Sequence, residues 1–156
     1  MTTAISRILV PVDFSEGAKP ALALAATMAR VFGASIELLH VWQPPPLIPL
    51  TMVIVPAQPE PVDMAELARS TAGAQMKELV TRLHEQGVEQ VRSRVSIGSP
   101  AHEIVDLAEL GHFDMIVMGT HGRTGFARAM LGSVAEKVVR RARCPVLTAR
   151  ERRDAA

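Results

Sequence analysis

Residues 113–134 read FDMIVMGTHGRTGFARAMLGSV, from Phe113 to Val134. An apolar run, Met115 to Met118, stops abruptly at Gly119-Thr120-His121-Gly122. A glycine-rich, basic loop follows, and Gly132-Ser133 opens a segment of helical character, Val134 to Arg143. Strand, glycine loop and helix start, in that order, present backbone N–H groups to an anion, usually a phosphate. Gly119 and Gly122 let backbone approach a ligand where a Cβ would intrude. Ser133 adds a hydroxyl beside free N–H groups at the positive end of a helix.

Working outward, the chain alternates strand and helix. Ile5 to Val12 is a short β-branched apolar run, of the kind buried on both faces of a parallel sheet. It ends at Asp13-Phe14-Ser15, where Ser15 or Asp13 can cap a helix over Glu16 to Phe32, with Leu22, Ala25, Ala26 and Ala29 at helical spacing. Pro20 is tolerable only near that helix's start, which predicts an irregular first turn, and Gly33 is a good stop. Ser35 to Trp42 reads as the second strand. Asp63 to Gln86 reads as a long amphipathic helix, with Leu67, Met76, Leu79, Val80 and Leu83 on one face and Gly87 at its end.

Val91 to Ile97 alternates as a sheet-edge strand does. Gly98-Ser99-Pro100 starts a further helix, Ser99 as cap and Pro100 in the first position, ending near Gly111. Pro145 to Ala149 supplies a fifth strand. The resulting β-α-β-α-β-α-β-α-β pattern is an open α/β sheet, a class that binds ligands at the carboxyl ends of its strands. One segment stands apart. Gln43 to Val62 holds seven of the chain's eleven prolines, a density that neither a helix nor a central strand survives. Its middle, Leu47 to Val55, is very apolar. A long connection with proline gatekeepers and a lid or partner-binding flap are both open readings.

Composition narrows the function. The chain's 156 residues fit one domain, residues 1–150, with a charged tail over 151–156. Hydrophobic content of 48% with 3% aromatic means a core of Val, Ile, Leu, Ala and Met. A net charge of +1 argues against a dedicated nucleic-acid binder. The clustered Arg140, Arg141, Arg143, Arg150, Arg152 and Arg153 fit a solvated terminus. One cysteine, Cys144, rules out an internal disulfide, suits a reducing cytoplasm and reads as a buried, inert thiol. The start MTTAISRILVPVD lacks a signal-peptide layout, and no apolar run approaches the ~18 residues of a membrane span. The expectation is a soluble, cytoplasmic protein.

Several phosphate and catalytic devices are absent. A Walker A loop fails because Gly125 is followed by Phe126 and Ala127, and no G-x-G-x-x-G follows the first strand. A haloacid-dehalogenase-type phosphatase needs an aspartate two residues after Asp13, where Ser15 stands. A receiver domain needs an acidic pair near strand 1 and an aspartate at the third strand's end, where Ile97-Gly98-Ser99-Pro100 stands. No Ser-His-Asp order or H-E-x-x-H motif occurs. His121 is the one histidine in the glycine loop, without the convergent partners of a metal site.

What remains is the spacing Gly119, two residues, Gly122, nine residues, Gly132-Ser133. It resembles the universal stress protein family, whose ATP-binding members carry G-x2-G-x9-G-[ST] here. The resemblance extends over the chain: Ile8-Leu9-Val10-Pro11-Val12-Asp13-Phe14-Ser15, Leu38-Leu39-His40-Val41, Gly98-Ser99-Pro100 and Arg143-Cys144-Pro145-Val146-Leu147 are similar to the family's strands and turns. It implies a Rossmann-like parallel sheet of order 3-2-1-4-5 with helices on both faces, and a nucleotide where strands 1 and 4 diverge. By the same resemblance, Pro11, Val12 and Asp13 line the adenosine end, and Val41 meets adenine through its backbone. Met118 and Gly119 pack on the ribose side, while Gly122, Gly132, Ser133 and Val134 hold the phosphates. Arg123 is either a phosphate contact or a solvated loop arginine, and Arg128 and Lys137 read as surface charges. Asp13 also suits a plain helix cap. The fifth strand, Val146 to Ala149, is expected to pair with its twin in a homodimer.

Three functions follow. The first is a nucleotide-binding stress-response module holding ATP, ADP or AMP with turnover slow or absent. The second is a slow Mg²⁺-dependent ATPase assisted by His121 or Ser133. The third is a nucleotide-free dimeric scaffold. If the apolar middle, Leu47 to Val55, is a flap, it is expected to fold over the adenine, because it leaves the end of strand 2 near Val41.

Overall fold

The computed structural model describes residues 4–46, 53–54, 62–120 and 131–150. His121, Gly122, Arg123 and Arg128, most of the proline segment and the tail 151–156 lie outside the described residues.

Alternating apolar runs and helical stretches fold as their pattern demands. Five parallel strands, β1 (Arg7–Pro11), β2 (Ser35–Trp42), β3 (Val91–Ile97), β4 (Met115–Gly119) and β5 (Val146–Ala149), form one sheet of order β3-β2-β1-β4-β5. Counted along the chain that is 3-2-1-4-5, the expected order. Four helices cross between them: α1 (Lys19–Phe32), α2 (Met64–Glu85), α3 (Pro100–Leu110) and α4 (Ser133–Arg141).

Strand alternation divides the core into two layers. Ile8, Val10, Ile36, Leu38 and Val117 pack with the alanines of α1 and with Met76 and Leu83 of α2. Leu9, Leu39, Ile116 and Met118 pack on the other face with Ala101, Ile104 and Ala108 of α3 and with Ala135 and Val138 of α4. Ile8, Leu9 and Val10 are all 0% exposed, so β1 is covered on both faces. Small alanines let α1 lie close to the sheet, which suits a core almost without aromatics.

Local signals mostly act as expected. Pro20 falls in the first turn of α1, and a 3₁₀ turn, Glu16–Ala18, precedes it. Gly33 ends α1 at φ 67. Asp63 caps α2, its carboxylate accepting from the Ala65 N–H at 2.8 Å. Ser99 stands at the cap position of α3 without a side-chain cap bond. Its carbonyl accepts from the N–H groups of His102 and Glu103.

Four expectations need correction. Strand 1 is shorter than Ile5–Val12, because the N–H groups of Ser6 and Arg7 donate to the Asp114 carboxylate at 2.8 and 2.9 Å. The fourth helix ends at Arg141, because Ala142 is extended at ψ 140. Leu67 is 44% exposed rather than buried. It lies nine residues from the buried Met76, and at ~100° per residue that is half a turn away, on the opposite face. Within the proline segment, Val53–Ile54 pairs antiparallel with Val62–Asp63, a ribbon that the proline density did not announce.

Candidate functional site

The order β3-β2-β1-β4-β5 makes the chain leave β1 toward β2 and leave β4 toward β5. The carboxyl ends of β1 and β4 therefore diverge, and that is where an open α/β sheet has its crevice. A cavity of about 390 Å³ occupies this place, within the usual size range of small-molecule sites. Its walls come from six segments: Pro11, Val12 and Asp13 at the end of β1; Ala18 of the 3₁₀ turn; Leu39, His40, Val41, Trp42 and Gln43 at the end of β2; Met118, Gly119 and Thr120 at the end of β4. Pro100 and Ile104 of α3 and Gly132, Ser133, Val134 and Ala135 at the start of α4 complete it.

Each wall has a local cause. The Thr120 carbonyl accepts from the Gly132 N–H at 2.7 Å, so the two ends of the glycine loop meet at the cleft. Gly132 caps α4, and its own carbonyl accepts the first helical bond, from Glu136 at 2.9 Å. The N–H groups of Ser133, Val134 and Ala135 precede the helix's own ladder and sit at its positive end. Acidic Glu136 and basic Arg140 and Arg141 follow the dipole along α4.

The turn after β1 is tightly tied. The Asp13 carboxylate accepts from the backbone N–H of Ser15 at 3.0 Å and from its hydroxyl at 2.5 Å. This is an Asx turn, so Asp13 acts on Ser15 instead of capping a helix N–H, and Ser15 makes no side-chain cap bond. Between them Phe14 has φ 62, a left-handed conformation costing an L-residue roughly 1–2 kcal/mol.

Nine of the twelve residues expected at a ligand line this one cavity: Pro11, Val12, Asp13, Val41, Met118, Gly119, Gly132, Ser133 and Val134. His121, Gly122 and Arg123 belong to the undescribed loop. Sequence reasoning missed His40, Trp42, Thr120 and Pro100. The signal for His40 was available: an imidazole set among Leu38, Leu39 and Val41 needs a partner. Among the described residues no three His, Cys, Asp or Glu side chains converge to hold a metal. No described helix is long and apolar enough to cross a membrane.

Residues 4–150 match the model of the universal stress protein family. Universal stress protein MJ0531 of Methanocaldococcus jannaschii is 34% identical over 145 residues, covering 93% of this chain and 82% of that protein. The solved structure of MJ0577, from the same organism, superposes with a TM-score of 0.76 at 26% identity, covering 97% of this chain and 99% of the other. UspA from Lactobacillus plantarum gives 0.73 at 28% identity, over 94% and 98%. Two proteins of this fold, each 22% identical to the chain, were solved in complex with cAMP and, from Archaeoglobus fulgidus, with dAMP, at TM-scores of 0.70 and 0.66; coverage is 95% and 98% for the first, 94% and 99% for the second.

Proposed function

The chain belongs to the universal stress protein family, and from that premise we propose that it is a nucleotide-responsive stress-response module binding ATP, ADP or AMP in this cleft. The observation that carries the reading is the Gly132-capped start of α4 opening onto the cavity between the ends of β1 and β4. Phosphates sit at the N–H groups of Ser133 and Val134, the Ser133 hydroxyl and the loop residues His121, Gly122 and Arg123. Adenosine occupies the end formed by Pro11, Val12, Asp13 and the Val41 backbone, with Met118 and Gly119 beside the ribose. That two proteins of the fold were solved with cAMP and dAMP agrees with an adenine nucleotide.

Each charge-assisted hydrogen bond contributes roughly 1.5–3 kcal/mol. Three or four of them with adenine burial reach roughly the −8 kcal/mol of micromolar binding after association costs. Mg²⁺ would arrive on the phosphates. The role is holding more than cutting. The one carboxylate among the described lining residues, Asp13, sits at the adenosine end and is tied to Ser15. The single unpaired cysteine supports a cytoplasmic setting.

Thermal melting with ATP, ADP and AMP tests the reading. Ligand at 100 times Kd adds about 2.7 kcal/mol, a rise of roughly 5–10 °C for a chain of this size. Ser133→Ala should weaken binding about ten- to a hundredfold, the loss of one charge-assisted hydrogen bond. No melting shift, together with no adenine compound extracted from the purified protein, would leave a dimeric scaffold. Sustained phosphate release at saturating ATP, above a buffer blank, would make it an ATPase.

A further inference from the structure

A buried imidazole lies against the turn after β1. His40 is 4% exposed. By strand alternation it shares a face with Ile36 and Leu38, on the α1 side of the sheet. Its Nδ1 is 2.9 Å from the Val12 carbonyl oxygen. A carbonyl can only accept, so Nδ1 carries the hydrogen and donates it. The same ring packs on Phe14, with centroids 4.4 Å apart and planes at 31°.

Two residues of the turn therefore rest on one side chain, and Phe14 is the one with φ 62. A bulky residue persists in that conformation only where its surroundings over-determine it. Here the Val12 N–H is held by the Leu39 carbonyl at 2.8 Å, Asp13 is tied to Ser15, and His40 holds the Val12 carbonyl and the Phe14 ring. Pro11, Val12, Asp13 and His40 all line the cavity.

We infer that His40 is a positioning residue for the nucleotide cleft: through Val12 and Phe14 it keeps the Pro11–Ser15 turn in the shape that receives the adenosine end. The inference rests on the nucleotide reading above. Without the imidazole the turn samples other shapes. The apparent affinity then falls with the fraction of molecules still holding the competent one.

Two substitutions separate positioning from plain core filling. His40→Asn keeps an N–H donor near the place of Nδ1, whereas His40→Leu fills the space without a donor. Trp42, the chain's only tryptophan, lines the cavity and reports AMP binding by its fluorescence. Amide hydrogen exchange of Val12 and Ser15 without nucleotide reports the turn itself, with Leu9 and Ile116 as core references.

His40→Leu should bind AMP about three- to tenfold more weakly, the equivalent of one hydrogen bond. Its Val12 and Ser15 amides should exchange faster while Leu9 and Ile116 are unchanged, and His40→Asn, which keeps the bond to Val12 but not the ring on Phe14, should recover part of both. Unchanged exchange at Val12 and Ser15 in His40→Leu would overturn the inference. So would equal damage in both variants accompanied by faster exchange at Leu9 and Ile116. Loosened turn amides with unchanged AMP affinity would overturn the link to binding. A parent chain that binds no AMP, ADP or ATP would instead sink the nucleotide reading, and the binding role of His40 with it, whatever the exchange shows.

Discussion

At the scale of single residues, the lower end of the sheet is held by a few side chains whose removal has calculable effects. Gly111 follows α3, and a Cβ there would press on the Phe113 ring and stand 2.8 Å from the Leu107 carbonyl oxygen. The ring has little room to move. It is 6% exposed, and the Arg7 guanidinium lies over it, 4.6 Å from the centroid. Gly111→Ala should therefore lower stability by about 1–3 kcal/mol in urea unfolding, the usual cost of overpacking. The double variant with Phe113→Leu should recover part of the loss. Nearby, burial pushes the Cys144 thiol above its ordinary value of 9.0, and the Asp114 carboxylate adds to the shift. A raised value means less thiolate at a given pH, so alkylation at pH 8 should be slower than for a free cysteine. The sign for stability follows. Between the ordinary and the raised value the folded thiol keeps its proton and the unfolded one has lost it, so stability declines as pH rises through that window. Below pH 8 the thiol should leave stability flat, and replacing Cys144 by Ala should remove its alkaline slope. An alkylation profile with its midpoint at or below 9.0 would contradict the burial argument.

At the scale of elements, helix ends show how conformation and space make different demands on glycine. Gly33 ends α1 at φ 67 with open space where a Cβ would go. Gly33→Ala should then cost about 1–2 kcal/mol by backbone strain alone, and Gly33→Asn less, because Asn tolerates the left-handed region. Equal losses for both in thermal unfolding would refute the strain account. These ends were also where the sequence was most legible. β2 and β3 run over the residues expected because Gly33 precedes one, Pro44 follows it and Gly98 closes the other. Local punctuation carries that information. The start of β1 was misplaced because its first N–H groups are claimed by Asp114, more than a hundred residues away. Leu67 was a phase error, since the buried stripe of α2 runs through Ala65, Ala72, Met76 and Leu83. At the cleft, glycine spacing and an apolar strand end were readable. The placement of His40 beneath Val12 and Phe14 was not, because it depends on the register of β2 against β1.

At the scale of the whole molecule, an open sheet leaves two edges to manage, and the two differ in chemistry. β3 presents exposed Arg92, Ser93 and Arg94, charges of the kind that discourage a further strand. β5 is Val146-Leu147-Thr148-Ala149, uncharged and only partly covered over its first three residues. Its hydrogen bonds show which groups are left to a partner. The carbonyls of Pro145 and Ala149 accept from the N–H groups of Ile116 and Thr120 at 2.9 and 3.1 Å. In a parallel ladder alternate residues turn to alternate sides, so the N–H groups of Val146 and Thr148 face away from β4. Pairing with a second copy would satisfy them, and this is the homodimer that the family resemblance leads one to expect. Thr148→Pro removes one outward N–H without breaking a bond to β4. It should shift the protein from dimer to monomer in sedimentation equilibrium while leaving the far-ultraviolet dichroism of the sheet intact. Replacing Arg92 by Thr at the opposite edge should leave the dimer as it is. A parent protein that sediments as a monomer at micromolar concentration, or a Thr148→Pro variant that remains a dimer of unchanged strength, would remove β5 as the pairing edge.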